Sequence, residues 1–370
     1  MSAAFDINKF DDEFVIPTMI MNIDDEYLKG DKRQYFSAPT IDLDIYESVI
    51  VLLSGGKDSI ACIIALIDQG VDMSKVEFWH HDVDGREGST LMDWAFMRDY
   101  NVKLAEHFGV PIYFSWLQGG FEGEMLKENA FSQPHKVETP SGLITLPRTN
   151  KITKRTGPST RRRFPQQSAS LATRWCSSSV KIDVGRRAIT NQERFNHSRT
   201  LVVSGERRQE SSNRAKYNQL EYHTQDIRHG KKGRVVDAWR PVLHWSEEAV
   251  WNSIERHNII APLPYQLGWS RSSCKACIYN DDLIWSTINH YFPQTINKIN
   301  NYEIEFDTTI SRTKKTVLER VKGVAPIITE DPLLIKQAIT EEYFMPVVLP
   351  AGEKWVMPKG AFKKSSCGSV

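Results

Sequence analysis

The sequence predicts a doubly wound α/β protein with a mostly parallel sheet and a helical C-terminal region, and three observations carry that prediction. Short apolar runs that suit buried strands alternate with amphipathic stretches that suit helices. A glycine-rich turn, Ser54-Gly55-Gly56-Lys57-Asp58-Ser59, stands directly between the first such run and the first helix. The chain of 370 residues is 40% hydrophobic and 25% charged, which is enough apolar material for a large globular core.

The elements follow in order. Val49 to Leu53 is a fully apolar run, hence a buried strand, and Ile60 to Ile67 continues as an uninterrupted apolar helix. Val76 to Trp79 reads as a second strand, Leu91 to Phe108 as an amphipathic helix, Pro111 to Trp116 as a third strand and Leu201 to Val203 as a fourth. The long stretch between the third and fourth strands contains Pro140, Pro147, Pro158 and Pro165 and little apolar periodicity, which predicts a lid or binding element, or else a disordered segment. Helical patterns resume after Trp245. The expected divisions are an acidic extension over 1–45, the α/β domain over 46–280 with a basic insert at 139–182, a helical region over 281–345 and an irregular tail over 346–370.

Charge is distributed unevenly. The formal net charge is +1, yet residues 139–240 hold 22 Lys and Arg against 7 Asp and Glu, leaving 25 against 39 elsewhere. Five cysteines are too few for a disulfide scaffold, and Cys274 and Cys277 form one close pair suited to metal or redox chemistry in a reducing compartment. The first residues carry Asp6, Asp11, Asp12 and Glu13 rather than a basic and apolar leader, and no run of 18 apolar residues occurs, so a cytoplasmic protein with no membrane partner is expected. The acidic extension is expected to pack on the surface or to dock a partner protein.

The turn after the first strand has a specific chemistry. Its glycines allow a tight bend that brings backbone N–H groups against an anion, the helix N-terminus adds a favourable dipole, and Lys57 adds a point charge. Cys62, one turn on, reads as a small buried apolar residue. The second strand ends in His80-His81-Asp82-Val83-Asp84-Gly85-Arg86-Glu87, a polar cluster placed where an open sheet holds its ligand.

The turn resembles the SGGxDS signature of the PP-loop ATP pyrophosphatases. Three further blocks resemble the phosphoadenosine-phosphosulfate (PAPS) reductase-like branch of that superfamily. They are Arg174-Trp175-Cys176 with Lys181, the run from Gly205 to Ala215, and Pro264-Tyr265 through Gly268 to Cys274 and Cys277. The matches run in the family's order over roughly residues 46–280 and imply an adenine nucleotide alpha hydrolase-like fold. The resemblance implies ATP and Mg2+ as cofactors, with Ser54, Gly55, Gly56, Lys57, Asp58 and Ser59 on the phosphates and Asp58 on the magnesium side. It extends the nucleotide site to Asp84, Gly85, Lys181, Gly205, Arg207, Glu210, Ser211 and Arg214. Lys57, Asp58, Arg207 and Cys176 are the expected catalytic residues. Arg207 and Arg214 supply planar forks for phosphate or sulfate oxygens, and Glu210 is expected to orient one of them.

Cys176, Cys274 and Cys277 are candidates for a three-cysteine [4Fe-4S] cluster with one iron open, for zinc, or for free or redox-active thiols. Ser177 and Leu283 stand where four-cysteine relatives carry further cysteines. Cluster-free reductases end in ECGxH, whereas this chain has Cys367-Gly368 without the flanking Glu or His.

From Thr139 to Ile182 there are nine bases and no acid. Such a segment suits a phosphodiester backbone, with Arg155, Arg161, Arg162 and Arg163 as candidate contacts and only Phe164 and Trp175 as candidate stacking rings, too few for base-specific readout; it equally suits a small polyanion or the chain's own acidic arm. The combined expectation is an ATP pyrophosphatase coupled to sulfur transfer, of the DNA phosphorothioation type. A cysteine desulfurase would be the sulfur donor and DNA or another nucleic acid the acceptor. A PAPS or adenylyl-sulfate reductase, a tRNA thiolase and a non-catalytic nucleotide-binding scaffold are the alternatives.

Overall fold

The computed structural model describes residues 35–38, 41–147 and 157–363. Eight strands form one sheet: β1 (Ser48–Leu52), β2 (Val76–Asp82), β3 (Ile112–Leu117), β4 (His135–Thr139), β5 (Gly142–Leu146), β6 (Arg199–Val203), β7 (Leu220–Tyr222) and β8 (Val235–Trp239). Their spatial order is β5-β4-β3-β2-β1-β6-β8-β7. The five central strands are parallel, and antiparallel strands close both edges. The chain leaves β1 towards β2 and β3 on one side and later returns to place β6 and β8 on the other. The switch point therefore lies between β1 and β6, which is where an open α/β sheet binds its ligand.

Side-chain alternation divides the core. Val49 and Val51 of β1 join a large apolar cluster on one face, and Ile50 joins a smaller one with Trp79, Val202 and Val236 on the other. Helix α1 (Lys57–Asp68) is buried from Lys57 to Leu66 apart from Asp58, because it lies between the sheet and α6 (Glu247–Arg256). The remaining helices are α2 (Met97–Phe108), α3 (Gly120–Met125), α4 (Trp175–Ser177), α5 (Asp183–Thr190), α7 (Leu263–Gln266), α8 (Asp282–Tyr291), α9 (Pro293–Phe306), α10 (Val317–Val321) and α11 (Pro332–Ile339). A π-helical turn, Ser178–Ile182, joins α4 to α5.

Two details differ from expectation, and a third adds to it. The helix expected from Leu91 starts at Met97, because the Asp84 carboxylate accepts the N–H groups of Met92 and Asp93 and holds that stretch in turns. The segment after β3 is not one long loop: β4 and β5 form a hairpin added to β3, turned at Gly142 with φ +109°. The tail beyond Pro346 is irregular but packed, with Trp355 buried and its Nε1 donating to Ile259 O at 2.9 Å. Among the described residues no helix is long and apolar enough to cross a membrane.

Candidate functional site

The turn after β1 and the loop after β6 meet at the switch point. Gly55 adopts φ +70° and lies so close to α2 that a Cβ would approach Met97 Sδ to 2.5 Å. Ser59 Oγ donates to Gly56 O at 2.8 Å and accepts the Ser54 N–H at 3.3 Å, which fixes the turn. The Lys57 N–H donates to the Tyr265 hydroxyl at 3.3 Å, and a Cβ on Gly56 would meet Ser272 Oγ at 2.6 Å. The block around Tyr265 is thus folded directly onto the turn.

Lys57 is 5% exposed, with Nζ 3.4 Å from Asp58 and 3.8 Å from Glu247. Burial opposes its charge, but Tyr265, Asp58 and Glu247 outweigh burial and hold its pKa above the ordinary value. Arg207, 3% exposed, donates from Nε to Asp58 Oδ1 at 2.5 Å. Burial would raise the Asp58 pKa, but Lys57 and Arg207 pull it below the ordinary value. Glu210 accepts the Arg207 backbone N–H at 2.8 Å and is ion-paired with Arg214. Gly205 lets the two loops touch, since a Cβ there would lie 2.7 Å from Asp58 O.

These groups face a polar chamber of about 850 Å³, lined by Ser54, Gly56, Lys57, Asp58, Arg207, Glu210, Ser211 and Arg214. A second chamber of about 370 Å³ adjoins it at Ser54 and Ser273 and is mainly apolar, with Leu52, Trp79, Val202 and Ala238 in its walls. Lys181 lines this second chamber rather than the phosphate turn. Burial opposes its charge, and Cys274, Asp93, Cys176 and Cys277 together outweigh that, so its pKa is raised.

Asp84 and Gly85 are not at the phosphate turn. Asp84 caps Met92 and Asp93, and Gly85, at φ +68°, packs where a Cβ would meet Gly120 N at 3.0 Å. Both line a third cavity of about 290 Å³ that adjoins the apolar chamber at His80, Val83 and Asp93. The rest of the cluster is tied internally: His81 Nδ1 lies 2.8 Å from Ser115 Oγ, and Arg86 joins Asp82 at 2.9 Å to Glu138 at 2.6 Å. Burial pushes the His81 pKa down to about 3.

Cys62 is fully buried in α1, as expected. Burial lifts the Cys274 thiol well above its ordinary pKa, and burial with Cys277 pushes Cys176 up to about 11. The three thiols influence one another, yet among the described residues no three Cys, His, Asp or Glu side chains are gathered in a metal-holding arrangement. A preformed three-cysteine cluster or zinc site is therefore not what these side chains present. Magnesium fares similarly: Asp58, Glu210 and Glu247, the carboxylates of the polar chamber, are all spent on ion pairs. A divalent ion there would draw its oxygens from phosphates and water.

Two of the four arginines expected on nucleic acid are engaged elsewhere. Arg161 pairs with Glu124 at 2.6 Å and covers the Trp175 ring, and Arg162 pairs with Glu305 and with Glu128 at 3.7 Å. Arg163 is exposed, and Arg155 lies outside the described residues, as do Cys367 and most of the acidic extension. Phe164 and Trp175 are buried core rings and offer no stacking face. Sequence reasoning missed Glu247, Arg271, Ser272 and Lys363 as chamber residues. Only the polar run Ser270 to Ser273 beside the cysteine pair could have signalled two of them.

A glycine-rich anion turn at the switch point, facing joined polar and apolar chambers, is the arrangement of a nucleotide-binding α/β protein. Comparison with known proteins narrows this: residues 148–280 match the family described as phosphoadenosine phosphosulfate reductase domain. An uncharacterized 37.8 kDa protein of Escherichia phage 186 is 28% identical over 141 residues, covering 38% of this chain and 39% of its own length. Two structures of Candida glabrata FMN adenylyltransferase align at 10% identity. The one with FMN and the ATP analogue AMPCPP has a TM-score of 0.30 over 61% of this chain and 54% of its own. The one with FAD and pyrophosphate has 0.32 over 81% and 77%.

Proposed function

We propose that this protein splits ATP into AMP and pyrophosphate to adenylate an acceptor oxygen, so that sulfur can take that oxygen's place, with a DNA phosphodiester as acceptor. One observation carries the reading: Lys57 and Arg207 flank Asp58 at the N-terminus of α1, facing a polar chamber joined to an apolar one at Ser54 and Ser273. The apolar chamber suits a base and the polar chamber its phosphates. As the acceptor oxygen attacks the α-phosphorus, charge grows on the departing pyrophosphate, and the turn's N–H groups with the Lys57 ammonium stabilise it. Sulfur, delivered as a persulfide by a cysteine desulfurase, then bonds to the acceptor phosphorus and displaces AMP. A thiol next breaks the S–S bond, leaving the phosphorothioate and a disulfide that an external dithiol reduces. Cys176, Cys274 and Cys277 are the candidate thiols.

The test is product analysis with α-labelled ATP, a DNA duplex, a desulfurase and cysteine. AMP, pyrophosphate and nuclease-resistant phosphorothioate linkages are expected, all lost in Lys57→Ala. ADP as the product, or AMP without sulfur in the DNA, would refute the reading. The family match over residues 148–280 favours a second reading, reduction of PAPS or adenylyl sulfate, recognised by sulfite release with a dithiol reductant. Unaltered function in Lys57→Ala would point to a scaffold instead.

A further inference from the structure

The polar chamber has two walls of different electrostatic character. On the inner wall three cations, Lys57, Arg207 and Arg214, face three carboxylates, Asp58, Glu247 and Glu210, and all six are ion-paired. The outer wall carries Arg174, Lys216, Arg271 and Lys363 and, among the described residues, contributes no carboxylate to the chamber. Arg174 donates from Nη1 to the Tyr279 hydroxyl at 3.2 Å, while its Nε is buried and has no hydrogen-bond partner among the described residues. Such an unmet donor is costly unless a ligand completes it. Lys216 is exposed and has no ion pair among the described residues. Lys363 reaches the chamber from the C-terminal segment and donates to Gly268 O at 3.3 Å. Tyr217, 38% exposed, presents a ring at the same wall.

We propose that the outer wall, centred on Arg174 with Lys216 and Lys363 and with Tyr217 as a base-stacking ring, is the binding track for the acceptor's phosphodiester backbone. The inference rests on the ATP-dependent, nucleic-acid-directed reading above and replaces the Arg161–Arg162 pair as the contact surface. The inner wall takes the nucleotide's phosphates, and the outer wall brings a second phosphate across the same 850 Å³ space. Two anions approach closely only if each has its own cations.

The test measures the anisotropy of a labelled single-stranded 12-mer oligonucleotide against salt, with ATP binding followed separately by equilibrium dialysis. Removing two backbone contacts from single-strand binding lowers the slope of log affinity against log salt by about 1.4. Lys216→Ala with Lys363→Ala should therefore flatten the slope by that amount and weaken the oligonucleotide at least tenfold more than ATP. Arg174→Ala should act in the same direction. The exposed pair Lys231 and Lys232, changed together to Ala, removes equal charge elsewhere and should leave the slope unaltered. Oligonucleotide binding that is unchanged in the outer-wall variants, or lost equally in the Lys231 and Lys232 control, overturns this assignment while the broader reading stands. A wild-type protein that binds neither this oligonucleotide nor its duplex at low salt overturns the nucleic-acid reading itself.

Discussion

Gly205→Ala is the sharpest probe of the site because it adds one methyl group where two loops press together. The φ angle of Gly205 is one that alanine accepts, so the perturbation is steric rather than conformational. The new Cβ would lie 2.7 Å from Asp58 O and 2.8 Å from Asp58 C, backbone atoms with no rotamer to retreat into, whereas ordinary contact begins at 3.4 Å. Relief requires the arginine loop and the phosphate turn to part by about 0.7 Å. A shift of that size stretches the 2.5 Å bond from Arg207 Nε to Asp58 to the edge of hydrogen-bonding range. Overpacking of this kind costs about 1–3 kcal/mol. Urea unfolding should show that loss, and isothermal titration with ATP should show at least a tenfold weaker affinity. Gly123→Ala is the control: Gly123 lies inside α3 with nothing within 4 Å of the added methyl, so it should be neutral or stabilising by up to about 1 kcal/mol. Near-wild-type stability and ATP affinity in Gly205→Ala would refute the apposition of the two loops.

Other consequences are testable. A double-mutant cycle on Asp58→Ala and Arg207→Ala should give a coupling of about 1–3 kcal/mol in urea unfolding, and independent effects would deny the pair. Burial and Asp84 push the Asp93 pKa up to about 7, so the native protein retains a proton that the unfolded chain has lost. Stability due to Asp93 should thus be fully present below pH 4 and fall as pH rises to about 7; Asp93→Asn should remove that decline, and parallel pH curves would contradict it. With the Cys176 thiol at about 11, iodoacetamide at pH 7.5 should modify it far more slowly in the native than in the urea-unfolded protein, and equal rates would show an activated thiolate.

The central sheet was legible because its strands are short, apolar and bounded by turn residues, and because a parallel sheet covered on both faces leaves β1 and α1 almost wholly apolar. The phosphate turn was legible for a similar reason: its chemistry is local, six consecutive residues doing one job. What escaped depended on long-range pairing. The β4–β5 hairpin has only five residues a strand and one buried face, so Gly142 and the prolines around it read as loop. Arg161 and Arg162 looked like a nucleic-acid surface because their acids, Glu124, Glu128 and Glu305, lie far off in sequence or on another helix. Asp84 looked like a ligand of the crevice because nothing local shows that its carboxylate is spent on Met92 and Asp93. Lys363 gave no signal at all, since its place depends on how the last described segment crosses the Tyr265 block.

That crossing governs when the site can exist during synthesis. Gly360 donates its N–H to Tyr265 O at 2.8 Å, and a Cβ on it would fall 1.9 Å from Trp269 O, so the segment is seated against the block that itself bears on Lys57. The phosphate turn leaves the ribosome about 300 residues before Lys363, which completes one wall of its chamber. A nascent chain can build β1, α1 and β2 early but cannot close the chamber until residues 355–363 have emerged. Chains interrupted before that point would expose the turn with its lysine and no finished pocket around it.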